Sequence, residues 1–146
     1  DLLAVLPPDA ALLVTADHGQ VHTEADDWVG LDGLSDLVTR MAGDGRFRHL
    51  HAVKGATAEL AETATDLLGT RAWVRTPAQV LDELWLGRGA TGSVPGRLGD
   101  VVLAARDASA FIDPALPVEV RLRSGHGSLT ADEMYVPLVA AAGTRT

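Results

Sequence analysis

The stretch that most constrains the fold is an apolar run, Leu12-Leu13-Val14-Thr15-Ala16, that ends at Asp17-His18-Gly19. A strand-length run without polar alternation predicts a strand over Ala10–Ala16 buried on both faces, as in a parallel α/β sheet. Open sheets of that class place ligands at the carboxyl ends of their strands, so Asp17 and His18 stand where such a fold puts chemistry. Adjacent residues of an extended strand point to opposite faces. The two side chains therefore converge on one ion only if the chain turns, and Gly19 supplies freedom to turn. A carboxylate oxygen beside an imidazole nitrogen suits zinc or a similar divalent ion. Taken alone, the tripeptide reads equally as a strand-end aspartate capping the next helix, with His18 exposed.

The rest of the chain alternates strand and helix signals. Leu34–Ala42 reads as a helix, with Ser35 as its cap and Gly43 just past its end. Phe47-Arg48-His49-Leu50-His51-Ala52-Val53 has a period of two, which predicts a strand over Arg48–Val53 with His49 and His51 on one face. An Ala-rich amphipathic helix over Thr57–Leu68 closes at Gly69. A strand at Ala72–Arg75 follows, then a helix over Pro77–Leu84 with Thr76 as its cap and proline in its first turn. Gly87–Gly99 is glycine-rich loop and lacks the Gly-Lys-Ser/Thr ending of a phosphate loop. Val101–Ala105 is a second buried-type strand. Thr130-Ala131-Asp132-Glu133 has capping-box spacing, so a helical turn is expected at Ala131–Met134, with Asp132 and Glu133 at the surface. A last strand is expected over Tyr135–Ala141, its proline, Pro137, suiting an edge or a strand start. This alternation argues for an α/β architecture, and Trp73 and Trp85 read as core or edge packing. The opening Asp1–Leu6 reads as the tail of a helix stopped by Pro7-Pro8, and the 146 residues as a piece of a longer protein.

Because the chain has no cysteine, any metal must be held by Asp, Glu, His, water or backbone. His22 lies four positions beyond His18, a spacing that unites two histidines only on a helix. It reads as a loop residue near the site, with a ligand role as the lesser alternative. His49 and His51 share a strand face and read as half-buried structural residues. Glu24, Asp26 and Asp27 lack the spaced glycine of a calcium loop and read as a solvated turn. The net charge of −8 argues against a polymeric nucleic acid as partner, and no stretch reaches the roughly 18 apolar residues of a membrane span.

A second motif sharpens the reading. Ser124-Gly125-His126-Gly127-Ser128-Leu129 runs into Thr130-Ala131-Asp132-Glu133-Met134-Tyr135-Val136-Pro137-Leu138. Together with Thr15-Ala16-Asp17-His18-Gly19, in that order, it resembles the alkaline phosphatase superfamily, and within it the type I phosphodiesterase/nucleotide pyrophosphatase family. The resemblance is strong at both ends of the chain and thin between them. It implies an alkaline-phosphatase-like α/β sandwich with a mainly parallel sheet flanked by helices, of which residues 1–146 form the carboxyl-terminal portion of a single domain. It implies two divalent ions, zinc for preference, flanking a Thr or Ser nucleophile. Asp17 and His18 would bind one ion and His126 the other, and the loop carrying His22 would lie near a small phosphorylated substrate such as a nucleotide or phosphodiester. The family's nucleophile, its neighbouring aspartate and its Asp-x-x-x-His pair lie upstream, and none appears here. Three ligands cannot complete two sites of about four each, so the chain alone is expected to be inactive. Self-association through an exposed sheet edge is expected as well. The readings left open are a phosphatase, phosphomutase or sulfatase of the same superfamily, and a non-catalytic α/β binding domain.

Overall fold

The computed structural model describes residues 5–7, 9–90 and 92–142, so the helix tail expected over Asp1–Leu6 falls largely outside the described residues. The chain forms β1 (Ala11–Thr15), β2 (Val21–His22), β3 (Trp28–Val29), β4 (Val38–Asp44), β5 (Phe47–Ala52), α1 (Thr57–Leu68), β6 (Ala72–Arg75) and α2 (Pro77–Asp82). After a long loop come β7 (Val101–Ala105), β8 (Ala110–Phe111), β9 (Ser124–Gly125), α3 (Ala131–Met134) and β10 (Leu138–Ala142).

The centre is a four-stranded sheet of order β4-β5-β7-β6, and every pairing in it is antiparallel. β7 is wholly buried because both of its faces are covered. On one side Val101, Leu103 and Ala105 pack with Leu50, Leu60, Ala64 and Leu68. On the other, Val102 meets Val80 and Leu98, and Phe47 and Trp85 close the cluster. α1 lays its Leu60, Ala64 and Leu68 stripe on the first face, at the spacing one helix side requires. α2 is capped as expected: the Thr76 hydroxyl accepts from the Gln79 N–H, and the Gln79 side chain answers the Thr76 N–H. Trp73 sits at the sheet edge with the Arg106 guanidinium 4.9 Å from its ring centre.

Four expectations are corrected. The α/β class holds, but the sheets are small and mixed, and β3–β8 is the one parallel pair among the described residues. The helix expected over Leu34–Ala42 is a 3-10 turn, Asp32–Leu37, followed by β4, which folds back on β5 through Gly45 and Arg46. Leu34 keeps its place in the core, while Val38-Thr39 begins the strand, where β-branched side chains are at ease. β1 has the expected bounds to within a residue but neither the parallel pairing nor the burial. Among the described residues it pairs only with β10, antiparallel, leaving Leu13 66% and Leu138 73% exposed. β10 starts after Pro137 rather than at Tyr135, because proline cannot donate to the ladder.

Candidate functional site

Topology brings the two motifs together. β1 and β2 flank residues 16–20, while β9 and β10 flank residues 126–137. β1 pairs with β10, and β2 pairs with β9 through Val21 opposite Gly125 and His22 opposite Ser124. The two connecting segments are thus held face to face by a ribbon on either side. The imidazoles of His18 and His126 stack in this gap, with ring centres 3.8 Å apart and planes 17° from parallel.

The hydrogen bonds of His18 define its chemistry. Its Nδ1 lies 2.8 Å from the Gly19 carbonyl oxygen. A carbonyl only accepts, so Nδ1 carries a proton, which in the neutral ring leaves the lone pair on Nε2. Asp17 accepts the His18 backbone N–H at 3.1 Å through Oδ1, and its Oδ2 stands 3.6 Å from that Nε2. The Asp17 side chain is 88% exposed. His126 is half-buried and borders a cavity of about 80 Å³ with Trp28, Asp44, Arg46 and Glu119. Among the described residues, no group of three or more His, Asp or Glu is disposed to hold an ion unaided.

Gly19 has a different role from the one its sequence predicts. Its backbone is not in the left-handed region. The need is for space: a Cβ there would lie 1.8 Å from the Asp132 carbonyl oxygen, and the Gly19 N–H donates to the Glu133 carbonyl at 2.8 Å. His18 is thereby pinned to α3 by the residue that follows it.

Glu133, expected at the surface, is buried and is the centre of the local network. Arg46 donates to both of its carboxylate oxygens, from Nε at 2.8 Å and Nη2 at 2.9 Å, with the two side chains 0% and 1% exposed. The Ser128 N–H donates to Oε1 at 2.9 Å, and the Thr130 hydroxyl donates to Oε2. Thr130 is therefore no conventional cap, since its hydroxyl serves the glutamate instead of a backbone N–H. Burial pushes the Glu133 carboxyl up, but the bonds from Arg46, Thr130 and Ser128 together outweigh it and hold the group below its ordinary range. Arg46 left no signal in the sequence beyond its place after the Asp44-Gly45 turn. Glu133 was visible only as the fourth position of a capping pattern.

The remaining histidines stand apart. His22, 65% exposed, bonds Glu24 at 2.7 Å, and that bond lowers the Glu24 carboxyl further than Arg123 does. His49 lies 3.3 Å from the Leu98 carbonyl, and burial holds its pKa below the usual imidazole value. The His51 Nε2 accepts from Arg40 at 2.9 Å. Glu24 and Asp27 box a 3-10 turn over Ala25–Asp27, with Asp27 accepting the Glu24 N–H at 2.7 Å.

No family model and no curated protein matches the chain, but solved structures do. Human ectonucleotide pyrophosphatase/phosphodiesterase 5 matches with a TM-score of 0.66 at 17% identity, over 89% of this chain and 33% of its own. The murine protein in complex with AMP matches with a TM-score of 0.62 at 16% identity, over 89% and 33%. Phosphonoacetate hydrolase from Sinorhizobium meliloti 1021, in complex with phosphonoformate, matches with a TM-score of 0.65 at 22% identity, over 90% and 36%. The chain thus spans about a third of the length of these proteins. Its fold is that of a part of these nucleotide pyrophosphatase/phosphodiesterase and phosphonoacetate hydrolase structures.

Proposed function

We propose that this chain is the carboxyl-terminal, ion-holding portion of a single phosphohydrolase domain of the phosphodiesterase/nucleotide pyrophosphatase type. The observation that carries the reading is the facing pair His18 and His126, delivered from opposite ends of the sequence to a ring separation of 3.8 Å. The residues fit a divalent ion. A ligating histidine ordinarily gives its other ring N–H to a carbonyl or carboxylate, as His18 gives its Nδ1 proton to Gly19. A two-metal hydrolase site would use one of these rings for each ion. Asp17 and His18 would hold one ion and His126 the other, and imidazole with carboxylate favours zinc. Such ions, when bound, neutralise the charge that grows on phosphoryl oxygens during in-line displacement.

What this chain supplies is orientation. The Gly19 carbonyl keeps the His18 tautomer with its lone pair on Nε2, and the exposed Asp17 carboxylate faces that nitrogen. The hydroxyl nucleophile and the remaining ligands would come from outside residues 1–146, so the isolated chain is expected to be inactive and to bind ions weakly. A small phosphorylated substrate, a nucleotide or a phosphodiester, fits the AMP and phosphonoformate held by the similar structures. The exposed faces of β1 and β10 are where the isolated chain would self-associate.

Calorimetric titration of the full-length protein with zinc, beside its His126→Ala variant, tests this. The expected result is about two ions bound, one of them lost in the variant. A full-length protein that ignores zinc, manganese and calcium alike would overturn the reading in favour of a non-catalytic binding domain.

A further inference from the structure

Resting on that reading of the two histidines, we propose that Arg46 and Glu133 are positioning residues: a buried ion pair that sets the facing geometry of His18 and His126. The pair touches the chain on both sides of His126. Before it, the Arg46 stem lies so close to Gly125 that a Cβ there would stand 2.9 Å from Cδ. After it, the Ser128 N–H donates to the Glu133 carboxylate. The same residue reaches the other motif through its main chain, since the Glu133 carbonyl accepts the N–H of Gly19, next to His18. Arg46 in turn is anchored to the sheet, with Nη1 donating to the Ser109 carbonyl at 2.6 Å and its own carbonyl accepting the Ala105 N–H at 2.9 Å. One ion pair therefore refers both imidazoles to the rigid four-stranded core.

Stability alone does not account for such a pair. Buried ion pairs can often be replaced by apolar residues of similar volume without loss, because desolvation consumes most of the Coulombic gain. The molecule offers an internal contrast in Arg48 and Glu119, also an inward-facing pair. Arg48 bonds the Gly43 and Phe111 carbonyls, neither of them in a motif, and its Nε has no partner among the described residues. Every polar atom of the Arg46 and Glu133 side chains, by contrast, is engaged, and two of the residues they bond or crowd, Gly125 and Ser128, stand on either side of His126.

The test compares wild type with Glu133→Gln and with the double variant Arg46→Met, Glu133→Gln, which leaves no unpaired buried charge. Glu83→Gln, which breaks the solvent-exposed ion pair with Arg75, serves as a control outside the motifs. Stacked imidazoles shift each other's ring-proton resonances upfield, so the ion-free protein reports the geometry directly by NMR. Both test variants are expected to keep the wild-type circular dichroism and lose these shifts, while Glu83→Gln retains them. Zinc affinity of the full-length protein should fall about 10- to 100-fold in the test variants, the usual cost of disturbing the groups behind metal ligands. Folded test variants with wild-type ring shifts and zinc affinity would overturn the proposal. So would loss of the fold in both, since the pair would then be holding the core and not aligning the rings. If the wild-type protein binds no zinc, the functional reading fails, and the ring shifts still decide the role of Arg46 and Glu133.

Discussion

Gly19→Ala is the single-atom-scale perturbation to which this site is most exposed. The added Cβ would lie 1.8 Å from the Asp132 carbonyl oxygen, 2.9 Å from its carbon and 3.2 Å from the Glu133 Cα. All three are backbone atoms, so no side-chain rotation relieves the overlap. Residues 17–19 and α3 must separate by more than an ångström, and the Gly19 N–H bond to the Glu133 carbonyl is lost with the separation. Overpacking costs about 1–3 kcal/mol and the bond about 0.5–1.5 kcal/mol, so the variant should be destabilised by about 2–4 kcal/mol. Gly55→Ala is the matched control. Its φ of +86° makes alanine strained by about 1–2 kcal/mol, but nothing lies within 4 Å of the new Cβ and the site is untouched. Urea unfolding gives the totals, and amide exchange shows where the strain goes. If opening β1 from β10 costs less than the clash, Gly19→Ala will shift the midpoint little and expose those strands to exchange, leaving β5 and β7 protected. A variant with both the wild-type midpoint and wild-type protection along β1 and β10 would refute the close approach of the two motifs.

Burial differences between the two apolar strands should be equally plain. Leu103→Ala, in the fully buried β7, should cost about 2–5 kcal/mol, whereas Leu13→Ala should stay within about 0.5 kcal/mol. Leu13→Lys should reduce self-association of the isolated chain in sedimentation velocity, and a wild-type chain that sediments as a clean monomer at high concentration counts against the ribbon as a sticky edge. Acid sensitivity should trace to Glu133. Its folded pKa lies below the ordinary 4.5, so its contribution is complete above that value and disappears as pH falls through the folded pKa. Thermal melts between pH 7 and pH 3 should show a smaller acid-side loss of Tm in Glu133→Gln than in wild type.

Much of the fold could be read along the chain, and the failures have one cause. The bounds of α1, β6, β7 and α3 follow from local signals: a stripe, a cap, a closing glycine. The continuous apolar runs at Leu12–Ala16 and Val101–Ala105 look alike as sequence. Yet β7 is buried between two cores, and β1 is a ribbon strand exposed on most of its length. An apolar run records that a strand is suited to cover on both faces; it carries no record of the direction of its neighbours. β7 achieves that cover in an antiparallel sheet. The helix expected at Leu34–Ala42 failed because its apolar spacing belongs to two elements, a 3-10 turn that buries Leu34 and a strand that pairs with Phe47–Ala52. Tertiary pairing overrode a weak local preference.

The site divides along the same line. Asp17, His18 and His126 stood out as candidates because their residue types and the glycines around them suggest ion ligands, and the fold does bring His18 and His126 together. What aligns them was not legible, because Arg46 and Glu133 are 87 positions apart and each has an ordinary local reading, one as a turn residue and the other as a helix-cap acid. The physical need for such a pair follows from the topology. The two motif segments hang between β1–β10 and β2–β9, ribbons of five and two paired residues that contribute little rigidity of their own. Facing imidazoles 3.8 Å apart demand sub-ångström placement that such ribbons cannot supply. A fork of two charge-assisted bonds from the sheet to Glu133, with Glu133 then holding Ser128 and Gly19, transfers the stiffness of the core to both rings at once.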